Sequence, residues 1–477
     1  MKVIKNYVYN MGYQVLLLIA PLITVPYVSR ILGAHGVGIN DYTNAIVTFF
    51  LLFGQIGVLT YGNREIAYHR DNIFERSKIF WEIVLMQITT VALAYLVFLV
   101  FVWNFSQAYR WFFLVQSLLI IAGAFDVSWY FMGMEDFRKT VTRNMLVRLL
   151  SIALIFTFVK TQQDVWKYIL ILSASSLFGN LTLWPYLRKS IQFIRPSKLK
   201  PWTHFNPALI LFIPTITTQV YLVVNRIMLR FMDPTKTVAV GLFSQSDKII
   251  KLVLAIVTAT GTVMLPHIAH KFAAGDVHGI RQSLYNSFDF VTALSVPMMF
   301  GIAAVAQQFA PWFLGAEFYD CGKIMMIESP IIVLIAWSNV TGTQYLMPVN
   351  RVKEYTISVT IGAVVNVICN LFLIEVFGAK GAALATTISE FSVTAFQIYC
   401  IKSTIRRRQL YGNTWKYMLS GIVMFVVVYR LSAMMHMNIV NLFIQVFLGF
   451  LIYVSGLILT RAPIIKQVQD FIKSRRD

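Results

Sequence analysis

The chain has 477 residues, 57% hydrophobic and 13% charged, with 41 Lys and Arg against 21 Asp and Glu for a net charge of +20. A mean hydropathy of +0.67 excludes a soluble globular domain and a disordered chain. The positive surplus sits in short connections beside apolar runs, where anionic lipid headgroups and topology account for it, and this argues against nucleic acid as a partner.

About fourteen apolar segments follow one another, near 7–31, 42–62, 79–103, 111–133, 141–159 and 165–187, then 207–231, 238–266, 284–308, 321–347, 355–377, 381–401, 415–431 and 439–460. Each is close to or above the ~20 residues that cross a hydrocarbon core of about 30 Å as a helix. Only a helix spans that core while satisfying its own backbone hydrogen bonds. The first run continues past Pro21 and Pro26, too long for a cleaved signal, and reads as an uncleaved anchor. The N-terminus, the even connections and the C-terminus hold about 28 of the Lys and Arg, among them Lys2, Lys5, Arg64, Arg188, Lys189, Lys473, Arg475 and Arg476. The opposite side holds about nine, among them Arg30, Arg110 and Arg230, so both termini are expected on the cytoplasmic side of the membrane. Cys321, Cys369 and Cys400 are isolated, and His35, His204, His267 and His270 form no ligand or nucleophile arrangement. No catalytic residue and no cofactor is expected, and no connection is long enough for a soluble catalytic domain.

The first half repeats in the second. Ala20-Pro21-Leu22-Ile23-Thr24 matches Ile213-Pro214-Thr215-Ile216-Thr217, and the entry to segment two at Val37-Gly38-Ile39 matches Val240-Gly241-Leu242 entering segment eight. Ile66-Ala67 matches Ile268-Ala269, and Tyr130-Phe131-Met132 closing segment four matches Tyr345-Leu346-Met347 closing segment ten. Six segments separate the copies, so both run in the same direction, related by an axis along the membrane normal. The expected fold is an all-α polytopic membrane protein of about fourteen transmembrane helices. A first six-helix lobe covers 1–190, a cytoplasmic crossover 191–206, and a second lobe 207–403. Segments thirteen and fourteen with a basic cytoplasmic tail fill 404–477. The crossover, basic and carrying Pro196 and Pro201, is expected against the headgroups with a short amphipathic helix. Two lobes with a central seam make alternating access the economical mechanism, and Pro21, Pro26, Pro214, Pro297 and Gly301 are candidate bending points.

With those near segment ends counted among the connections, four basic residues remain inside segments: Arg148, Arg226, Lys248 and Lys251. A Lys or Arg at the bilayer centre costs about 2.5–3.5 kcal/mol by insertion measurements, so each should face protein or water. Lys248 and Lys251 share a helix face, and Asp247 stands four residues before Lys251, within reach of an ion pair. At about 15–20 Å into the segment, both lysines are too deep for easy snorkelling, which favours a cavity-facing role. For Arg226, near the outer end of segment seven, snorkelling competes with that role. Arg148 and Asp126 lie at similar depth, suiting a structural pair as well as a substrate contact. Arg30 and Asp41 flank the first outer turn, either as a solvated loop pair or at the outer mouth of the first lobe. Among the acids, Glu390 near the centre of segment twelve is the best candidate for coupling to H⁺ or Na⁺, with Asp126 and Asp247 beside it. Glu328 is a further candidate, while Asp289 and Glu82 are expected to be solvated helix ends. The surplus of cations suggests an anionic cargo, because Lys as a point charge and Arg as a fork both suit phosphate oxygens.

The run Pro26-Tyr27-Val28-Ser29-Arg30-Ile31-Leu32-Gly33, then Gly36-Val37-Gly38, then Gly62-Asn63-Arg64-Glu65-Ile66-Ala67, resembles the start of bacterial Wzx-type polysaccharide repeat-unit flippases. These belong to the multidrug/oligosaccharidyl-lipid/polysaccharide (MOP) exporter superfamily, with MATE/MurJ-like lobes arranged as a V. The resemblance implies a repeat-unit oligosaccharide on undecaprenyl pyrophosphate, moved from inner to outer leaflet without catalysis. It also implies that Arg30, Asp41 and the span-eight Lys248 and Lys251 stand where lipid-linked precursor flippases place cavity charges. Polysaccharide polymerase and other export proteins are the expected partners beside membrane lipids. A cation-coupled multidrug or small-molecule antiporter of the same superfamily is the alternative, and the excess of lysines in the second lobe argues against it.

Overall fold

The computed structural model describes residues 2–188, 190–402 and 405–466. Lys189, the stretch carrying Lys473, Arg475 and Arg476, and the side chains of Lys2, Lys5, Pro214 and His267 lie outside the described residues. Among the described residues every element is helical and there is no strand. Among the described residues nine helices are long and apolar enough to cross a membrane, or ten if the bent pair Ala316–Glu328 and Ile331–Leu346 is one span. The protein is a multi-pass membrane protein, and the expected total of fourteen crossings goes beyond that number. Its outward side chains fit this solvent: Leu93, Leu96, Val100, Phe443 and Phe450 are exposed although strongly apolar.

Segments one and two form one helical run, Lys2–Gln55, broken only at Gly33, where φ is 67° and ψ is 176°. That conformation is essentially open only to glycine, so Gly33 sets the turn between Arg30 and Asp41. Helix continues through Pro21 and Pro26, and the long helix Val277–Leu314 continues through Pro297 and Pro311, so none of these prolines ends its segment. The interruptions lie elsewhere. Segment four divides into Arg110–Gln116, Leu118–Ala124 and Ser128–Gly133, and segment ten into Cys321–Glu328, Ile331–Ser338 and a π-helical stretch Asn339–Leu346.

The repeated tripeptides close segments four and ten with the same turn. After Tyr130, Glu135 takes φ 54° and donates to the Met132 carbonyl, while the Asp136 amide reaches back to Phe131. After Tyr345, Asn350 takes φ 64° and donates to Met347, while the Arg351 amide reaches back to Leu346. Both are Schellman closures with a non-glycine residue in the left-handed position.

The chain falls into two compact units, Met1–Arg230 and Phe231–Asp477. In the first unit a cluster of Val58, Ile66, Phe80, Trp129, Tyr130, Leu187 and Ala208 is almost fully buried. Segment seven, helix Phe205–Met232, packs there through Gly57: its φ is +69°, and a Cβ would lie 2.8 Å from the Ala208 carbonyl oxygen. In the second unit small residues bring helices close, as expected where packing rather than the hydrophobic effect joins them. Gly362 faces Ser389 and Val393, Gly421 faces Val296 and Phe300, and Gly456 faces Ser420.

The crossover differs from its expected form. It contains the 3₁₀ turns Pro196–Lys198 and Pro201–His204 rather than an amphipathic helix, because prolines and short spacing leave no room for a full turn of α-helix. Polar contacts hold it to the first unit. Arg76 donates to the Ser190 carbonyl at 2.8 Å, Trp81 Nε1 to Gln192 at 3.1 Å, and the Gln192 amide to Ser77 Oγ at 2.9 Å.

Candidate functional site

Segment eight is helix Thr237–Ala273, and it carries Asp247, Lys248 and Lys251 within the second unit. Lys251 Nζ pairs with Asp247 Oδ2 at 2.8 Å, the (i, i+4) pair read from spacing. The Asp247 side chain is only 5% exposed, whereas that of Lys251 is 40% exposed, so the ammonium rather than the carboxylate is offered outward. Lys248 is half-buried and also engaged. The preceding turn is polar and closed: Ser244, Gln245 and Ser246 are buried, and Ser246 Oγ donates to the Leu242 carbonyl at 2.9 Å.

Two carboxylates of the same unit are buried on other helices. Glu328 ends helix Cys321–Glu328 with no exposed surface, and Glu390 is 9% exposed on helix Ala379–Ile401. In the same unit a polar network joins the π-helical stretch to its neighbours: Thr341 donates to Gln397 Oε1 at 2.7 Å, and Gln397 Nε2 donates to Ser358 Oγ at 2.9 Å. A π-helical stretch leaves backbone carbonyls poorly paired and often marks a functional segment.

In the first unit the charges gather differently. Asp41 is buried and accepts from Asn40 Nδ2 at 3.0 Å. Both its carboxylate and the Arg148 guanidinium bear electrostatically on the Tyr168 hydroxyl, which brings three helices to one polar place. Arg30 is exposed on the other side of the Gly33 break, and His35 and Arg30 are both engaged. Arg226 is half-buried beside the buried Asn225.

Three expectations are corrected here. Arg148 does not pair with Asp126: Asp126 lies in the break of segment four and its Oδ1 accepts from the Ser128 amide at 2.9 Å, so a local backbone turn takes up the carboxylate. Arg148 keeps a buried Nε without a hydrogen bond. Glu82 is not a solvated helix end. It is buried, accepting from the Lys200 amide at 2.8 Å and contacting His204 Nε2 at 2.9 Å, while His204 Nδ1 meets the Tyr61 hydroxyl at 2.7 Å. Asp289 likewise is tied inward, accepting from the Tyr417 hydroxyl at 2.7 Å and so joining segment nine to segment thirteen.

Sequence reading missed Tyr168, His204 and the stacking of Arg230. The Arg230 guanidinium lies 5.0 Å from the Tyr109 ring centroid and 5.6 Å from that of Tyr42. Arg230 had looked like one more loop cation, and nothing in its neighbourhood of sequence pointed to two distant tyrosines. No group of three or more His, Cys, Asp or Glu suited to a metal occurs among the described residues.

A family model described as polysaccharide biosynthesis protein matches residues 3–272, and one described as lipid II flippase MurJ matches residues 145–454. A putative O-antigen transporter of Escherichia coli (strain K12) is 25% identical over 423 residues, covering 84% of this chain and 96% of its own. The solved structure of lipid II flippase MurJ in an inward closed conformation has a TM-score of 0.76 at 15% identity, over 97% of this chain and 100% of that one. An inward-facing MATE multidrug resistance transporter of the MOP superfamily has a TM-score of 0.57 at 9% identity, over 81% of this chain and 98% of that one. At such identities these two likenesses speak for the fold alone.

Proposed function

The chain belongs to the polysaccharide biosynthesis family, among the Wzx-type flippases of the MOP exporter superfamily, and on that premise we propose that it carries a lipid-linked oligosaccharide across the membrane for cell-surface polysaccharide synthesis. The observation that carries this reading is the likeness to a putative O-antigen transporter along 84% of the chain. The multidrug transporters share only the fold.

The physical task is to take a charged, sugar-bearing headgroup through hydrocarbon. Unpaired, an ionised phosphate or a sugar hydroxyl pays several kcal/mol on leaving water. Intramembrane cations substitute for that hydration, and the polyprenyl tail, as apolar as the bilayer, stays in lipid. In our reading the cargo is a repeat unit on undecaprenyl pyrophosphate, moved from inner to outer leaflet by alternating access, with both termini cytoplasmic. Lys248 and Lys251, helped by Arg226 and Arg30, contact the pyrophosphate in this cycle. Asp41 and Arg148 with Tyr168 bind the headgroup in the first unit, and Glu390 takes the coupling H⁺ or Na⁺, with Asp247 and Asp126 as the other coupling candidates. No bond of the cargo is made or broken, and a polymerase acting on the outer face takes the product.

The test is export of repeat units by a Lys248→Ala/Lys251→Ala variant. Loss of surface polymer at wild-type protein level supports the assignment of the lysines. Full export by the same variant removes them from the site, whereas full export by a strain lacking the protein altogether, with no second flippase present, rejects the function itself.

A further inference from the structure

At one end of the first unit, segment three, the end of segment six and the start of the crossover enclose an open-sided groove of about 540 Å³. Its walls include Trp81, Leu181, Trp184, Pro185 and Phe193, with Arg188 the one charged residue among the described residues that line it. Both indole N–H groups are already used inside the protein: Trp184 Nε1 donates to the Phe125 carbonyl at 3.0 Å and Trp81 Nε1 to the Gln192 carbonyl at 3.1 Å. What the tryptophans turn to the groove is therefore apolar. A sugar or a peptide backbone would find few side-chain partners there, but an acyl chain would need none.

The charged end supplies the other half of the argument. Arg188 is exposed and stands where the chain leaves segment six. No hydrogen bond or ion pair of its guanidinium is found among the described residues, so its fork of donors is open to an anion. Phe193, 78% exposed, extends the apolar wall beyond the helix end. Tryptophans beside an arginine at a segment end are the side chains that sit at headgroup level. The occupant that matches a greasy trough ending in one open guanidinium is a lipid with a phosphodiester and a net negative headgroup.

We propose that this groove binds an anionic phospholipid, its phosphate on Arg188 and one acyl chain along Trp81, Trp184 and Phe193. The site is separate from the charges assigned to cargo and does not rest on that assignment.

The test is native mass spectrometry of the full chain released from mixed micelles holding equal amounts of dioleoyl phosphatidylglycerol and dioleoyl phosphatidylcholine. One basic residue at the headgroup level corresponds to about a fivefold preference for the anionic lipid. Wild type is expected to show it, Arg188→Lys to keep most of it, and Arg188→Gln to lose it. Lys198→Gln, on the exposed crossover outside the groove, is expected to retain the preference, and Phe193→Ser to lower retention of both lipids. Equal retention of the two lipids by wild type overturns the proposal. So does an equal loss in Lys198→Gln and Arg188→Gln, which is the signature of diffuse surface attraction, and so does displacement of the lipid by free glycerol phosphate, which would mark a headgroup site without a chain.

Discussion

The Asp247–Lys251 pair predicts an asymmetry between its two halves. Removing the cation with Lys251→Met takes a charge-assisted hydrogen bond from a carboxylate that is 5% exposed. Such a bond is worth about 1.5–3 kcal/mol. Removing the charge of the acid with Asp247→Asn leaves an ammonium that is 40% exposed and, if it faces the aqueous cavity its proposed role requires, is hydrated there, so the loss should resemble that of an exposed pair, about 0–1 kcal/mol. Thermal unfolding in detergent, followed by tryptophan fluorescence, should therefore rank Lys251→Met clearly below Asp247→Asn. The double variant Asp247→Asn/Lys251→Met should recover most of the deficit, since neither charge remains to be desolvated. Export separates structure from transport: the double variant is expected to be folded yet deficient, because the cation proposed to meet phosphate is gone. Equal destabilisation by the two single variants would refute the burial argument. Normal export by the double variant would refute the role of Lys251 while leaving the pair's structural account intact.

Other positions give sharp expectations. Gly33→Ala should cost about 1–3 kcal/mol by melting, because φ 67° with ψ 176° has no room for a Cβ, and it should disturb export by reorienting Asp41 relative to Arg30. Gly381→Ala should lower folded protein severely, since its Cβ would fall on the backbone of Leu373, whereas Gly275→Ala, with φ +71° but nothing within 4 Å, should cost only about 1 kcal/mol; accumulation in membranes compares them. His204→Phe should strip Glu82 and Tyr61 of their shared partner and destabilise the crossover by about 2–3 kcal/mol. Limited trypsin cleavage after Lys198, the residue of the crossover's basic stretch 195–200 not followed by proline, should then accelerate, while Glu82→Gln, which can still accept from the Lys200 amide, should change it little.

Much of the architecture was legible in one dimension. Apolar runs of membrane length are a direct consequence of backbone satisfaction in hydrocarbon, so Ile73–Phe105, Val352–Phe377 and Ile439–Leu459 fall close to where composition put them. The Asp247–Lys251 contact was legible for a similar reason, since four residues of helix bring side chains together whatever surrounds them. The paired tripeptides at Tyr130 and Tyr345 were visible as a repeat, although their common turn with Glu135 and Asn350 in left-handed conformation was not.

Azimuth and helix breaks were beyond reach of the linear pattern. Equal depth made Arg148 and Asp126 look like partners, but depth says nothing of the direction in which a side chain points. Segment four opens at Asp126 and spends that carboxylate on its own backbone, so Arg148 shares its polar place with Asp41 and Tyr168 instead. Glu82, His204 and Tyr61 come from three separated stretches, and only packing of the crossover makes them one buried group. Hydropathy and charge along the chain decide which residues enter the bilayer, because that partition is a property of each side chain and its immediate neighbours. Which of the buried charges meet, and which are left facing outward, is decided by contacts between distant segments, because Coulomb and hydrogen-bond energies depend on separations that only the assembled bundle defines.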